Sequence, residues 1–277
     1  MAASIDKTSI IDQLHHLPTV PTVVQEVMAS FKNEKISSAS LAHNISSDLG
    51  LSSKVLRVAN SSFYGLSRQV GSIQDAITIL GFDTLRSIVI SAGYMSAFPV
   101  SPNSVFDREA YWKHSFRVAT YTEALAKCQG GSRQMSFTAG MFHEVGQLVL
   151  SICIPEEFAK VLAQQKTSAL SMIEVEQTVL GFDHAEIGAE LAKRWNFPIE
   201  IENAIHFWHV PEYEPFETIT GFVHVAALLD SGLTRDLLIS GLPKTLSDKL
   251  QVNWERLDKY LQSPDELNAA ANMMLNA

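Results

Sequence analysis

Apolar side chains recur three and four positions apart along most of this chain and nowhere hold a convincing strand alternation, which restricts it to a fold built of helices. Val23, Val24, Val27, Met28 and Phe31 follow Pro21 at that spacing. Proline suits a first helical turn, where its missing N–H would have no partner anyway. Ser38 is placed to cap a second helix with Leu41, Ala42 and Ile45 inward, and a third carries Val55, Leu56 and Ala59. Ser72 with Asp75 resembles a capping box with an acid in place of the usual Glu, and Gly81 is a natural stop for the helix it opens. Asp83 is expected to cap an apolar helix reaching about Phe98, and Asp107 one that runs to Gly130-Gly131. Further helices are expected over 136–152, 155–165, 171–180, 183–195, 198–209 and 216–229, with one more near the C-terminus. The fold class is all-α, a multi-helix bundle.

With 277 residues, 46% of them hydrophobic and only 18% charged, the chain has ample material for a large core and none of the marks of disorder. The stretch from Pro99 to Asp107, with two prolines and Asn103, is the best linker. It divides an N-terminal helical unit (1–100) from a second unit (101–277) and offers a joint across which helices can move. Net charge is -9 and the basic residues form no stripe, Lys193-Arg194 being an isolated pair. This argues against nucleic acid as a direct partner, while leaving room for a local basic pocket that takes a small anion. Cys128 and Cys153 sit in apolar helical stretches and are expected as reduced, buried thiols. The N-terminus lacks the basic start and apolar run of a signal peptide, and the window from Ile88 to Val100 is too short to span a bilayer. The expected location is the cytoplasm, with no membrane contact.

Five histidines carry the chemistry this sequence can offer: His114, His143, His184, His206 and His209. In a helical protein, metal sites are built from side chains that project inward from several helices. His143 and Glu144 are adjacent, flanked by the small residues Ala139, Gly140 and Gly146, which let another helix approach closely. His184 falls in a first helical turn beside Asp183 and Glu186, and His206 and His209 share a face. Imidazole with carboxylate suits first-row transition metals, and such an ion makes hydroxide available at neutral pH. On spacing alone the competing account is a set of core histidines bonded to carbonyls or carboxylates. Trp112, Trp195 and Trp208 are expected to fill core, and Asn60 to satisfy backbone groups where its helix ends.

Two runs in the N-terminal half carry a resemblance. Leu17-Pro18-Thr19-Val20-Pro21 is followed by LAHNISSDLGLSSKVLRVANSSFYG, which contains Ala59-Asn60-Ser61, and then by VGSIQDAITILGFDTLRSIVIS, which contains Ala76 and Leu80-Gly81. In this order and spacing the chain resembles the HDOD family over most of its length, more weakly after about Leu229. The resemblance implies kinship with the HD and HD-GYP metal phosphohydrolases, which use a His, a His-Asp pair and a distant Asp to hold metal. His114, in YWKHSFRVA, matches the first His. His143-Glu144, in GMFHEVGQLVL, stands where the His-Asp pair would be, with Gln147 where a Lys is common. His184 matches a later His, and Trp208-His209, in IHFWHVP, a position where paired histidines are frequent. FVHVAALLD places Ala227 where the distal Asp should fall.

These departures set the functional expectation. Glu is longer than Asp by a methylene, while metal sites tolerate ligand-distance errors of only about 0.2 Å. Alanine ligates nothing. A two-metal centre is therefore not expected. The residues left to hold an ion are His143, Glu144, His184 and His209, with His114 able to join them, and the ion would be one divalent transition metal (iron, manganese, zinc or nickel). The resemblance implies a regulatory or scaffold module of bacterial signal transduction, non-catalytic and with a degenerate metal site. Its partners would be other signalling proteins or a small phosphorylated ligand, and oligomerisation is open. The alternative is a metal-dependent phosphohydrolase acting on a nucleotide or another phosphoester.

Overall fold

The computed structural model of the chain describes residues 6–16, 21–31, 37–61, 64–66, 68–98 and 104–275. The motif residues 17–20, Ser62 and the linker residues 99–103 lie outside these. Helix α1 (Lys7–Gln13) runs into a 3₁₀ turn (Leu14–His16), followed by α2 (Thr22–Ala29), α3 (Ser38–Ser47), α4 (Leu49–Ala59), α5 (Ile73–Leu80) and α6 (Phe82–Ala97). Then come α7 (Arg108–Gln129), α8 (Arg133–Phe142), α9 (Val145–Cys153), α10 (Pro155–Gln165), α11 (Met172–Leu180), α12 (His184–Arg194), α13 (Ile199–Phe207) and α14 (Thr218–Asp230). Four more helices close the chain: α15 (Arg235–Gly241), α16 (Lys244–Leu250), α17 (Trp254–Asp258) and α18 (Pro264–Leu275). No strand occurs among the described residues.

The caps show why the helices begin where they do. Ser72, Asp107 and Asp183 each accept a backbone N–H from three residues on, at 3.0, 2.9 and 3.0 Å. Ser171 and Glu174 form a full capping box. Two expectations shift by a residue or two. Ser37, in extended backbone, caps α3 in place of Ser38, which is already helical. Gly81 ends α5 and also starts α6, so Asp83 lies inside the first turn, where it favours the positive end of the helix dipole without capping it. At Gly130 the left-handed conformation (φ 81°) lets its N–H reach the Ala126 carbonyl and stop α7.

One difference bears on the site. The helix expected over 136–152 is two, α8 and α9, broken at His143-Glu144 where Glu144 leaves helical geometry (φ -110°, ψ 19°). Glycines on either side explain the bend. A Cβ on Gly140 would lie 2.7 Å from the Ala119 Cα of α7, and one on Gly146 only 1.9 Å from the His184 carbonyl oxygen of α12. Each half-helix is thus pulled tight against a different neighbour.

Helix α7 is the axis of the fold and packs against α8, α14 and α18, while α12 packs against α9 and α13. The N-terminal helices join through α6, which lies on α8, and through α4, which touches α18. Lys7 of α1 pairs with Glu186 of α12. The buried apolar side chains from Ile10 to Ala271 form one connected core. Cys128 is buried and Cys153 half-buried, both free. Among the described residues no helix is long and apolar enough to cross a membrane.

Candidate metal centre

The break between α8 and α9 delivers two adjacent side chains to one point, and α7 supplies a third. His114, His143 and Glu144 each offer a ligand atom, and those atoms lie within 4.8 Å of one another. The His114 and His143 rings stand 5.3 Å apart, and His114 Nε2 is 3.5 Å from Glu144 Oε2. His184 and His209 fall outside this group. His184 remains a fully buried neighbour whose charge acts on Glu144.

Hydrogen bonds fix which ring nitrogen each histidine presents. His143 Nδ1 donates to the Gly140 carbonyl at 2.8 Å, His114 Nδ1 to Asp230 Oδ2 at 2.7 Å, and His184 Nδ1 to Glu176 Oε2 at 2.7 Å. Carbonyls and ionised carboxylates only accept, so the proton must sit on Nδ1. Nε2 is the atom left over, and on both His143 and His184 it is buried without a protein partner. An imidazole anchored through one nitrogen with the other turned inward is the arrangement of metal ligands and their supporting groups.

Electrostatics divide the histidines. Burial pushes His143 down to about 4 against the pull of Glu144, so it is a neutral ring with a free lone pair at neutral pH. Burial opposes the charge on His184 too, but Glu176 outweighs it and lifts the ring to about 9, so without an ion a second proton occupies Nε2. His114 is also raised, burial being overcome by Glu144 and Asp230. Glu144 is lowered, its desolvation outweighed by His114, His143 and His184, and it stays a carboxylate.

Four neighbours of this group are not apparent as such from the sequence pattern. Asp230 lies one helical turn past Ala227 on α14, and the i,i+3 spacing is the one signal that points to it. Arg117 grips it through Nε at 2.5 Å and Nη2 at 2.8 Å. Glu176, fully buried, holds His184 from α11. Trp208, expected as core filling, sets its ring 5.0 Å from His143 and 6.2 Å from His184, and its carbonyl accepts from His224 Nδ1 at 2.9 Å. Trp112 and Trp195 are packing residues, against Tyr111 and against Tyr94 with Phe98. His209 is held low by burial despite Asp183 nearby, and His206 stacks on Phe207. The donor set, two imidazoles with a single carboxylate and the orphaned Nε2 of His143, fits one divalent transition ion.

Known proteins share this fold. Over 96% of this chain and 98% of the other, it superposes with a TM-score of 0.80 on a candidate phosphohydrolase from Shewanella amazonensis SB2B, at 26% identity. An HDOD domain protein of unknown function from Geobacter sulfurreducens matches at 0.81 and 23% identity over 97% and 99% of the two chains. A candidate signal transduction protein from Marinobacter aquaeolei VT8 matches at 0.79 and 24%, covering 98% of this chain and 62% of that one. The last two likenesses bear on the fold alone. An uncharacterised protein of Treponema pallidum (strain Nichols) is 27% identical over 233 residues, 82% of this chain, which spans 45% of that protein's length. The family model of the HDOD domain matches residues 17–211, a stretch that takes in the α8–α9 break and the candidate histidines from His114 to His209, and the chain belongs to the HDOD domain family.

Proposed function

We propose that this chain is a regulatory module of bacterial signal transduction whose His/Glu cluster holds one divalent transition ion and does not hydrolyse phosphoesters. The carrying observation is the supply of carboxylates. Glu144 is the one acid with an oxygen in the donor group among the described residues, and Asp230, the acid nearest the lost distal position, is engaged by two Arg117 bonds and His114. A two-metal hydrolytic site needs anionic oxygens to hold and screen a second cation. Other signalling proteins or a small phosphorylated ligand are its partners in this reading, since binding needs fewer placed groups than transition-state stabilisation.

His114, His143 and Glu144 would hold the ion, with His184 beside them. When bound, such an ion acidifies its water and polarises a phosphoryl oxygen. The chain itself orients three rings through their Nδ1 atoms and shields His143 with Trp208. The second reading, a phosphohydrolase, draws on those inward-facing Nε2 atoms and on the Shewanella relative. Elemental analysis of chelator-free protein and a phosphoester screen with manganese or iron separate the two. The expected result is one equivalent of metal, lost in His143→Ala, with no turnover above that variant's background. Two equivalents with His143-dependent turnover would overturn the reading.

A further inference from the structure

Asp230 is the acid of this site that the family pattern leaves unassigned. That pattern places its distal Asp three residues earlier, at Ala227, yet the carboxylate at 230 is the one that meets a candidate ligand. Its side chain is 4% exposed and accepts from His114 Nδ1 at 2.7 Å. The bond settles which way the ring is turned, because the opposite nitrogen, Nε2, then points at Glu144. The carboxylate is itself immobilised by the bidentate contact from Arg117, the most directional of charge-assisted pairs. Arg117 Nη1 completes the chain by donating to Asn268 Oδ1 at 2.6 Å. Asn268 belongs to α18, which packs on α7 and α4 and so touches both halves of the molecule.

We propose that Asp230 is a positioning residue for His114, and that Arg117 and Asn268 extend its hold to the C-terminal helix, so that docking of α18 and metal binding at His114 strengthen each other. The proposal rests on the single-ion reading above for its metal-binding half. Its logic is reciprocal: if docked α18 raises metal affinity, metal raises the docking equilibrium of α18 by the same factor.

The test uses the full chain, with Asp230→Asn and Asn268→Ala. Asn268 touches none of the proposed ligands, which isolates the far end of the relay. Long-range proton–nitrogen NMR of His114 in metal-free protein, at alkaline pH where the ring is neutral, reads the tautomer. Zinc titration reads affinity, and hydrogen exchange reads the docking of α18. The wild type is expected to show the Nδ1–H tautomer, and Asp230→Asn a mixture with roughly 10–100-fold weaker zinc binding. Asn268→Ala should weaken zinc less, and zinc should slow exchange in α18 of the wild type but not of that variant. An unchanged His114 tautomer in Asp230→Asn, or α18 exchange indifferent to zinc, overturns the proposal. The NMR arm needs no metal: a protein that takes up no zinc refutes the single-ion reading and the coupling to α18, while the tautomer still decides the role of Asp230. Should Asp230→Asn fail to fold, unshifted His114 nitrogen signals in Asn268→Ala overturn the relay.

Discussion

Asn60 and Val70 close a two-bond ring across the bend between α4 and α5: the Val70 N–H donates to Asn60 Oδ1 at 2.7 Å, and Asn60 Nδ2 donates back to the Val70 carbonyl at 2.8 Å. The same amide also donates to the Leu56 carbonyl at 2.9 Å, tying off the end of its own helix. The Ala-Asn-Ser run therefore has a structural role, since one side chain satisfies backbone groups that no helix can reach.

Removing that side chain strands the polar groups of Val70, which is 3% exposed. Three lost bonds and the desolvation of their partners put the cost of Asn60→Ala at about 2–4 kcal/mol. Asn60→Asp keeps the bond from the Val70 N–H and should fall between that variant and the wild type. Denaturant midpoints measure both, and a loss below about 0.5 kcal/mol would mean that water replaces the amide.

Two glycine substitutions should have opposite signs. A Cβ at Gly146 meets backbone, 1.9 Å from the His184 oxygen and 2.9 Å from the Gly188 nitrogen, so α9 and α12 must part. Gly146→Ala is expected to cost at least about 3 kcal/mol, beyond ordinary overpacking because no side chain can yield. Gly241, at the end of α15, has open space where a methyl would be added, with no atom within 4 Å, and no positive φ. Gly241→Ala should therefore stabilise, by a few tenths to about 1 kcal/mol, through helix propensity alone. Thermal unfolding of the pair checks both signs.

What could be seen in the sequence was local. Pro155–Gln165 forms with the expected ends, and Ser72 and Asp107 cap as expected, because a cap depends on a few consecutive residues. The break at His143-Glu144 carries no glycine or proline of its own. It is imposed by Ala119 and His184, which lie on other helices, and periodicity cannot register such contacts. His114, His143 and Glu144 were legible through the family pattern, yet the same pattern drew attention to Ala227 and away from Asp230. Glu176 precedes His184 by eight residues across a turn, a spacing that signals nothing on a helix. Trp208 has the residue type of a core filler, and only its neighbours distinguish it.

The two thiols should be nearly inert in the folded protein. Burial pushes Cys153 up to about 11 from an ordinary 9.0, so the thiolate is populated only above that pH. At neutral pH the reactive form is depleted about 100-fold relative to an ordinary thiol. Alkylation by iodoacetamide in native protein should run about 100-fold slower than after unfolding and rise roughly tenfold per pH unit up to about pH 10. Cys128, at 3% exposure, should not react before unfolding. Native labelling of Cys153 at a free thiol's rate would contradict its burial.

Glu176 and His184 form the most deeply buried ion pair among the described residues, with both side chains at 0% exposure. Glu176 Oε2 accepts both from the His184 ring and from its backbone N–H at 2.9 Å, fixing the first turn of α12, while Oε1 has no protein partner. Two charges drawn from water are repaid only while both are present. Glu176→Ala leaves a buried imidazole that Glu176 had lifted to about 9 without its counter-charge, and is expected to cost about 3–5 kcal/mol. Glu176→Gln keeps an accepting oxygen for both donors and should cost less, because only the charge is lost. Urea unfolding distinguishes the alternatives: equal losses in the two variants would show that the charge, not the pair of hydrogen bonds, is what secures α12 to α11.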